Sequence, residues 1–355
     1  MNSTNSKPDF AWNLTDLKNI PKRNVKVMST FACGGGSSMG YKLAGCEIVA
    51  ANDIDPEMMY HYKLNNNVPH FIKAPIEDLK LCNLPDECYE LDIFDGSPPC
   101  STFSTAGNRE KDWGKEKHFR EGQAKQVLSD LFFDYLDVVE RLKPKVAIAE
   151  NVKGMIIGKA KGYCKEIMAR FREIGYRPQL FLINSADCGV PQRRERVFFC
   201  AVREDVSDKQ LELKPRHRWI SAAEAIRDLS ELTPAEVEHN QFKPGSQHAK
   251  WWHLCEPGKD YSTVCKKVEG KQSNFNQSRI SPSRPCNTLV AVGHNTCHWN
   301  KPRRLTFREW KRLGSFPDDY KAKNEGIGKY MVGMSVPPKM VKVVADAVIS
   351  QWLGK

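Results

Sequence analysis

One cysteine of this chain, Cys100, follows two prolines, Pro98 and Pro99, and precedes Ser101, Thr102 and Ser104. Leu91, Ile93 and Phe94 ahead of it read as a short buried strand. Gly96 and the prolines stop that strand, because proline brings no N–H to a sheet ladder. A thiol held just past a strand's carboxyl end lies where open α/β sheets place their chemistry. It is a candidate nucleophile. A free thiol titrates near pH ~8.5, so at neutral pH it needs local positive charge or a substrate that protonation makes electrophilic. For this segment alone, the ordinary alternative is a buried structural cysteine.

Three other groups of residues bear on that choice. Glu150 ends an apolar run at 145–149, where a carboxyl is costly to desolvate unless it is partnered or used. With its proton affinity raised it could hand a proton to a ring nitrogen; otherwise it caps a helix. Arg194 and Arg196 flank Glu195 as the chain enters the apolar run 197–202. An extended backbone would put both guanidinium groups on one side, able to bind a carbonyl oxygen, a phosphate or a carboxylate such as Glu150, unless the run is simply solvated. Phe31, Ala32, Cys33, Gly34, Gly35 and Gly36 close the first apolar run and open into a helix, where glycine permits either an ordinary tight turn or close approach of backbone amides to a ligand. About twenty residues further on, Asp53 and Ile54 end the next run, and a carboxylate there accepts hydrogen bonds from the ribose of a nucleoside cofactor. Asp55, directly before Pro56, suits a helix cap better.

The elements that must position these groups alternate. Strand-like runs at 25–31, 47–52, 91–94, 145–149, 177–183 and 197–202 are interleaved with helix-like stretches at 37–44, 56–64, 124–142 and 164–174. This alternation predicts an α/β fold with a doubly wound, mostly parallel, Rossmann-like sheet. From 203 onward the texture becomes polar and basic with scattered aromatics, and only 220–229 reads as helix. Helical patterns return at 308–313 and 338–352. The expected organisation is a main domain over 1–202, a smaller irregular domain over 203–303, and a return segment over 304–355 whose last helix packs on the main domain.

Composition narrows the class. With 355 residues and a formal charge of +11, the chain has room for a sizeable core and suits a polyanionic partner. Its twelve cysteines include no CxxC pair and follow no secretory leader, so they read as reduced intracellular thiols. No run is long and apolar enough to cross a bilayer. The cysteines and histidines lack the short paired spacing of structural zinc sites. A cytoplasmic protein without a metal and without a membrane partner is expected.

Taken in order, the pieces resemble one family. Phe31 with Gly35 and Gly36, Pro98-Pro99-Cys100, Glu150-Asn151-Val152, Gln192-x-Arg194-x-Arg196, Arg284-Pro285-x-x-Thr288-Leu289 and Gly333-x-Ser335-Val336-Pro337-Pro338 occur in the order and spacing of the DNA cytosine-5 methyltransferases. The segment 304–309, continuing to Phe316-Pro317-Asp318, is similar as well. The resemblance covers most of 25–352 outside the variable stretch 203–278. It implies S-adenosylmethionine as cofactor, released as S-adenosylhomocysteine, and double-stranded DNA as substrate. It also implies a sequence-specific monomer, nucleoid-associated through its DNA, with a separately acting cognate restriction endonuclease as a further partner.

The resemblance also assigns roles. Cys100 adds to carbon 6 of a flipped cytosine, Glu150 protonates nitrogen 3, Arg196 holds the base's carbonyl oxygen and Arg194 supports the site. The activated carbon 5 then takes the sulfonium methyl, and loss of the carbon 5 proton releases Cys100. Phe31 is expected against the adenine and Asp53 on the ribose. Gly35 and Gly36 are expected near the methionine portion, with Cys33, Ile54 and Pro99 completing the pocket. Ser104, Gln192, Arg284 and Thr288 are expected on the DNA side, and the basic stretch 101–123 as a loop closing over DNA. Four positions depart from the family pattern. Cys33 stands for a glycine, Pro75 for an aspartate, Ser101 for a glutamine and Met334 for an asparagine.

Rival readings have specific weaknesses. A methylase of exocyclic amino groups shares Ser97-Pro98-Pro99 but needs an aromatic where Cys100 stands. A tRNA cytosine-5 methyltransferase would share fold and chemistry. An inactive nucleic-acid-binding relative should have lost the thiol or the cofactor pocket. A dinucleotide-dependent oxidoreductase leaves Cys100 and the arginines without a use.

Overall fold

The computed structural model describes residues 7–99, 116–117 and 126–127 (backbone only), 131–158, 160–270, 277–293 and 295–355. It divides into two compact units. One comprises residues 17–184, 195–215 and 341–355; the other comprises 1–16, 185–194 and 216–340. In this division 304–340 groups with 216–303, and 341–355 with the unit that holds the sheet.

The sheet unit is built from β1 (Lys26–Thr30), α1 (Gly36–Leu43), β2 (Glu47–Asp53), α2 (Pro56–Asn65), β3 (His70–Lys73) and β4 (Ile93–Gly96). It continues through the short pair β5 (Glu116–Lys117) and β6 (Gln126–Val127), then α3 (Leu131–Leu142), β7 (Val146–Val152), α4 (Ala160–Glu173), β8 (Tyr176–Asn184) and β9 (Glu195–Arg203). The seven long strands form one sheet in the order β3-β2-β1-β4-β7-β9-β8. The contacts from β3 to β7 are parallel, and β9 runs antiparallel to both of its neighbours. The chain winds outward through β2 and β3, then returns to lay β4 beside β1. That reversal opens a crevice at the carboxyl ends of β1 and β4, the place where such sheets bind ligands.

Side-chain alternation decides which groups share a face. Phe94 of β4 stacks on Tyr135 of α3, with centroids 5.1 Å apart, and Leu131, Leu136 and Val139 of the same helix are buried with them. Each such side chain contributes roughly 1.5–3 kcal/mol of burial. Asp95, next along β4, therefore points to the opposite face. Gly96 is required by packing, because a Cβ there would lie 2.6 Å from the Tyr135 ring and 2.8 Å from Thr30 Oγ1. Gly96→Ala is expected to cost about 1–3 kcal/mol, read as a lower urea midpoint at unchanged slope.

Two helix expectations need correction. Within the helix expected over 124–142, Gln126–Val127 instead pairs antiparallel with Glu116–Lys117, and α3 is described over Leu131–Leu142. In the other unit, 216–303 is less irregular than expected. Besides Ala222–Ile226, helices span Pro234–Asn240, Gln247–Leu254 and Tyr261–Glu269, capped by Thr233, Ser246 and Asp260. Their apolar stripes are too short to stand out, but the Thr233 to Glu236 capping box was readable.

That unit has its own core. Trp251, Trp252, Cys255, Tyr261, Cys265 and Cys297 are buried together. The Arg279 guanidinium lies 3.8 Å from the centroid of the Trp252 ring and donates to the carbonyls of Cys255 and Trp299. Buried charge is paired: Arg303 is bidentate to Glu309, which also caps Phe307–Leu313 with Thr306, and Arg312 is bidentate to Asp228. No helix among the described residues is long and apolar enough to cross a membrane.

Candidate active site

The glycine loop is tied down by backbone strain and by the end of β2. Phe31 and Cys33 both adopt positive φ, 52° and 44°. Such residues cost on the order of 1–3 kcal/mol each and persist where surroundings over-determine them. Here the Ala32 N–H donates to Asn52 O at 3.0 Å, and the Cys33 N–H donates to Asp53 Oδ2 at 2.7 Å. Gly35, at φ 84°, has no alternative, since a Cβ there would meet Asn66 Nδ2 at 2.2 Å. α1 then starts at Gly36, so its first amides sit beside the loop.

Asp53 and Asp55 separate into two roles. Asp55 caps α2 by accepting from the Glu57 N–H at 2.8 Å. Asp53 accepts from the Cys33 and Asp55 amides, one on each oxygen. Burial pushes its carboxyl up to about 6, against those backbone hydrogen bonds. The Ile54 amide adds to these donors, and a carboxylate, with about four acceptor sites, can still take a ribose hydroxyl. A strained loop, a helix start and a carboxylate at the sheet's switch point fit a nucleoside cofactor. Ile54 lies half-buried beside them.

The second cluster sits on β7 and β9. Glu150 pairs in register with Phe198, and Val152 with Arg196, so Glu150 and Arg196 are diagonal neighbours on one face. Arg196 Nε lies 2.8 Å from Glu150 Oε1, and Nη1 donates to Glu195 O. Burial lowers the guanidinium's proton affinity while Glu150 opposes it, and an arginine stays charged throughout. Asn151 turns to the opposite face and donates through Nδ2 to Pro98 O at 3.0 Å. It fastens the turn that leads through half-buried Pro99 to position 100. Asn151 lies within the Glu150-Asn151-Val152 motif, and its place beside Glu150 is the signal in the sequence for this role.

Cys100, Ser104 and nearly all of 101–123 lie outside the described residues. Arg194 lies outside the alternation of β9, which begins at Glu195, so it does not share a strand face with Arg196. Arg194 is buried in the other unit, where Nη1 donates to Leu289 O at 3.1 Å and Nη2 to Met334 O at 3.4 Å. Beside it, Gln192 Oε1 accepts from the Leu289 N–H and the Thr288 hydroxyl donates to Arg193 O. Gln192, Arg194 and Thr288 thus join two segments of one unit, while the Arg284 side chain is exposed. Among the described residues no group of three His, Cys, Asp or Glu side chains is arranged to hold a metal ion.

A model of the C-5 cytosine-specific DNA methylase family matches residues 25–350. The chain belongs to that family. This cytosine-5 methylase is 29% identical over 344 residues to the Type II methyltransferase M.MthTI of Methanothermobacter thermautotrophicus, covering 92% of this chain and 97% of that one. It is 28% identical over 357 residues to the Type II methyltransferase M.NgoPII of Neisseria gonorrhoeae, covering 91% and 95%. Among solved structures, a putative DNA modification methyltransferase encoded within an E. coli prophage superposes with a TM-score of 0.68 at 19% identity, covering 94% and 100%. The S. pombe Dnmt2 methyltransferase gives 0.56 at 17%, covering 92% and 99%, and both share the fold. The methylase is accordingly a DNA (cytosine-5-)-methyltransferase with a Rossmann-like sheet. The exocyclic-amino and oxidoreductase readings fall away.

Proposed function

We propose that the chain methylates a flipped cytosine in duplex DNA, within a defined sequence, using Cys100 as nucleophile, Glu150 as acid and Arg196 as the clamp on the base. The observation carrying this reading is the Glu150 to Arg196 contact at 2.8 Å, on the strand whose Asn151 holds the Pro98 carbonyl. Among the described residues, Glu150 Oε2 and Arg196 Nη2 have no protein partner, which leaves one acid oxygen and one donor for the edge of a base. Protonation of nitrogen 3 by Glu150 and a hydrogen bond from Arg196 to the neighbouring carbonyl draw electrons from carbon 6, where the Cys100 thiolate adds. Electron density then collects at carbon 5. After the carbon 5 proton is lost, expulsion of Cys100 restores the aromatic ring.

S-Adenosylmethionine supplies an electrophilic methyl when bound. Phe31, the amides at Cys33, Gly35 and Gly36, Ile54, Pro99 and the Asp53 carboxylate would hold it. Arg194 keeps the supporting role that the resemblance implies, held within its own unit by the Leu289 and Met334 carbonyls. Gln192, Arg284, Thr288 and Ser104, with the basic stretch 216–303, would set the register on DNA through phosphates and base edges. The Type II names of the relatives support a modification role beside a separate restriction endonuclease. The proposed enzyme is a monomer acting on nucleoid DNA in the cytoplasm.

Bisulfite sequencing of plasmid treated with the purified protein should show protection of cytosines within one recurring sequence. An equal mass of tRNA should accept far fewer methyl groups. Preferential labelling of tRNA, or modified cytosines that bisulfite still converts, would reject the proposal.

A further inference from the structure

The chain from Arg303 to Arg312 carries five cations, and four of them have partners in the protein. Arg303 is bidentate to Glu309 and Arg308 to Glu236. Arg312 takes both Asp228 and Asp318, and the Lys311 ammonium donates to the carbonyls of Asp318 and Tyr320. Arg304 is the exception. Among the described residues its guanidinium enters no ion pair, and its Nε is buried without an acceptor. A guanidinium drawn partly out of water is unfavourable without a counter-charge, yet the carboxylates of this region are directed to the other cations.

The backbone fixes where Arg304 stands. Its N–H donates to Asn240 O at 3.0 Å, and it bridges antiparallel to Cys297. The residue is half-buried, and an arginine so placed packs its stem while its outer nitrogens reach water. Its charge acts on Lys329, a buried residue of the helix Glu325–Met334 whose ammonium lies 2.6 Å from Glu325 Oε1. Burial lowers the proton affinity of Lys329 and Glu325 opposes this, while the charge of Arg304 adds to the lowering. An anion held by Arg304 would relieve that repulsion. Lys329 also packs beside a turn, since a Cβ on Gly293 would lie 3.1 Å from Lys329 Cβ. The turn, 290–293, is closed by the Gly293 N–H donating to Val290 O at 3.0 Å, and a Cβ on Gly333 would meet its Val290 carbonyl carbon at 2.6 Å. Val292 at the tip is 62% exposed. Arg304 therefore belongs to the neighbourhood of a fastened, solvent-facing turn that follows Thr288 and Leu289 directly.

We infer that Arg304 holds one phosphate of the DNA backbone, its outer guanidinium nitrogens donating in parallel to the two non-bridging oxygens. A planar fork of donors matches that pair of oxygens, whereas an ammonium offers only a point charge. The contact is to charge and shape, so it fixes the register of the duplex on this unit without reading a base. The inference rests on duplex DNA being the substrate.

The test is the affinity of the full chain for a duplex carrying the sequence that bisulfite mapping returns, measured across a range of salt concentrations. Arg304→Gln should weaken binding by roughly tenfold at low salt and make the plot of log affinity against log salt shallower by about 0.9, the share of one phosphate. Arg304→Lys should keep the slope and lose part of the affinity, because the charge stays and the fork does not. Duplexes in which one phosphate at a time is replaced by a neutral methylphosphonate locate the contact: one position should weaken the wild type and have no further effect on Arg304→Gln. The methylated sequence and the affinity for S-adenosylmethionine should not change. Nor should the urea midpoint of Arg304→Gln, whereas Arg303→Gln, which strands buried Glu309, should lower it. A wild-type slope in Arg304→Gln, or a weakening that comes with a lowered urea midpoint and no change of slope, overturns the inference and leaves the DNA substrate standing. A wild type that fails to bind the duplex at low salt overturns that substrate, and the inference with it.

Discussion

Cys100→Ser is expected to lower methyl transfer by roughly 10³-fold or more while leaving S-adenosylmethionine affinity unchanged. An alcohol is a far weaker nucleophile than a thiolate and holds its proton at any pH the protein survives, so covalent addition to carbon 6 stops. Binding should persist because the loop from Phe31 to Gly36 and the Asp53 carboxylate are fixed by contacts on β1, β2 and α1 that do not involve position 100. Methyl incorporation into plasmid and calorimetric titration with the cofactor separate the two quantities. DNA carrying 5-fluorocytosine at the target should trap a denaturant-stable protein–DNA adduct in the wild type and none in the variant, since fluorine cannot leave as a proton does. Substantial turnover by the serine enzyme would falsify the covalent step.

Glu150→Gln should cost about 10²–10⁴-fold in the rate of the chemical step, since glutamine preserves a hydrogen bond but has no proton to give. Stability should change little, because the amide oxygen can still accept from Arg196 Nε. Arg196→Ala behaves differently. It leaves Glu150 buried without its partner, a loss of about 3–5 kcal/mol, read in equilibrium unfolding. Combining the two changes should restore part of that stability, because a neutral amide tolerates burial alone better than a carboxylate does. If the double variant unfolds at the denaturant concentration expected from adding the single effects, the ion pair is not what holds the two side chains on that face.

Local signals were enough to place most strands and the candidate chemistry. Apolar runs ended by Asp53 and Gly96 mark strand ends, and strand ends are where a parallel sheet collects its functional groups. The cap at Asp55 was legible because Pro56 cannot sit deeper in a helix. The short helices of 234–269 were not, since each buries only a few side chains and periodicity needs length to register. Nor was the strand pairing of Gln126–Val127, in a stretch that reads as helix.

The amino-acid order alone determined the kind of chemistry: a thiol behind two prolines, an acid at a strand end, a basic run entering a strand, and a loop able to take left-handed backbone. Tertiary structure decided which of these groups meet. Arg194 and Arg196 look equivalent in the chain, but a strand that begins between them sends one to backbone carbonyls and the other to an acid. Asp95 reads as one more polar residue in an apolar stretch until register sets it on the face of Glu150. Spacing along a chain constrains a residue's neighbours in its own element, whereas pairing between strands far apart in sequence is settled only when the whole sheet closes.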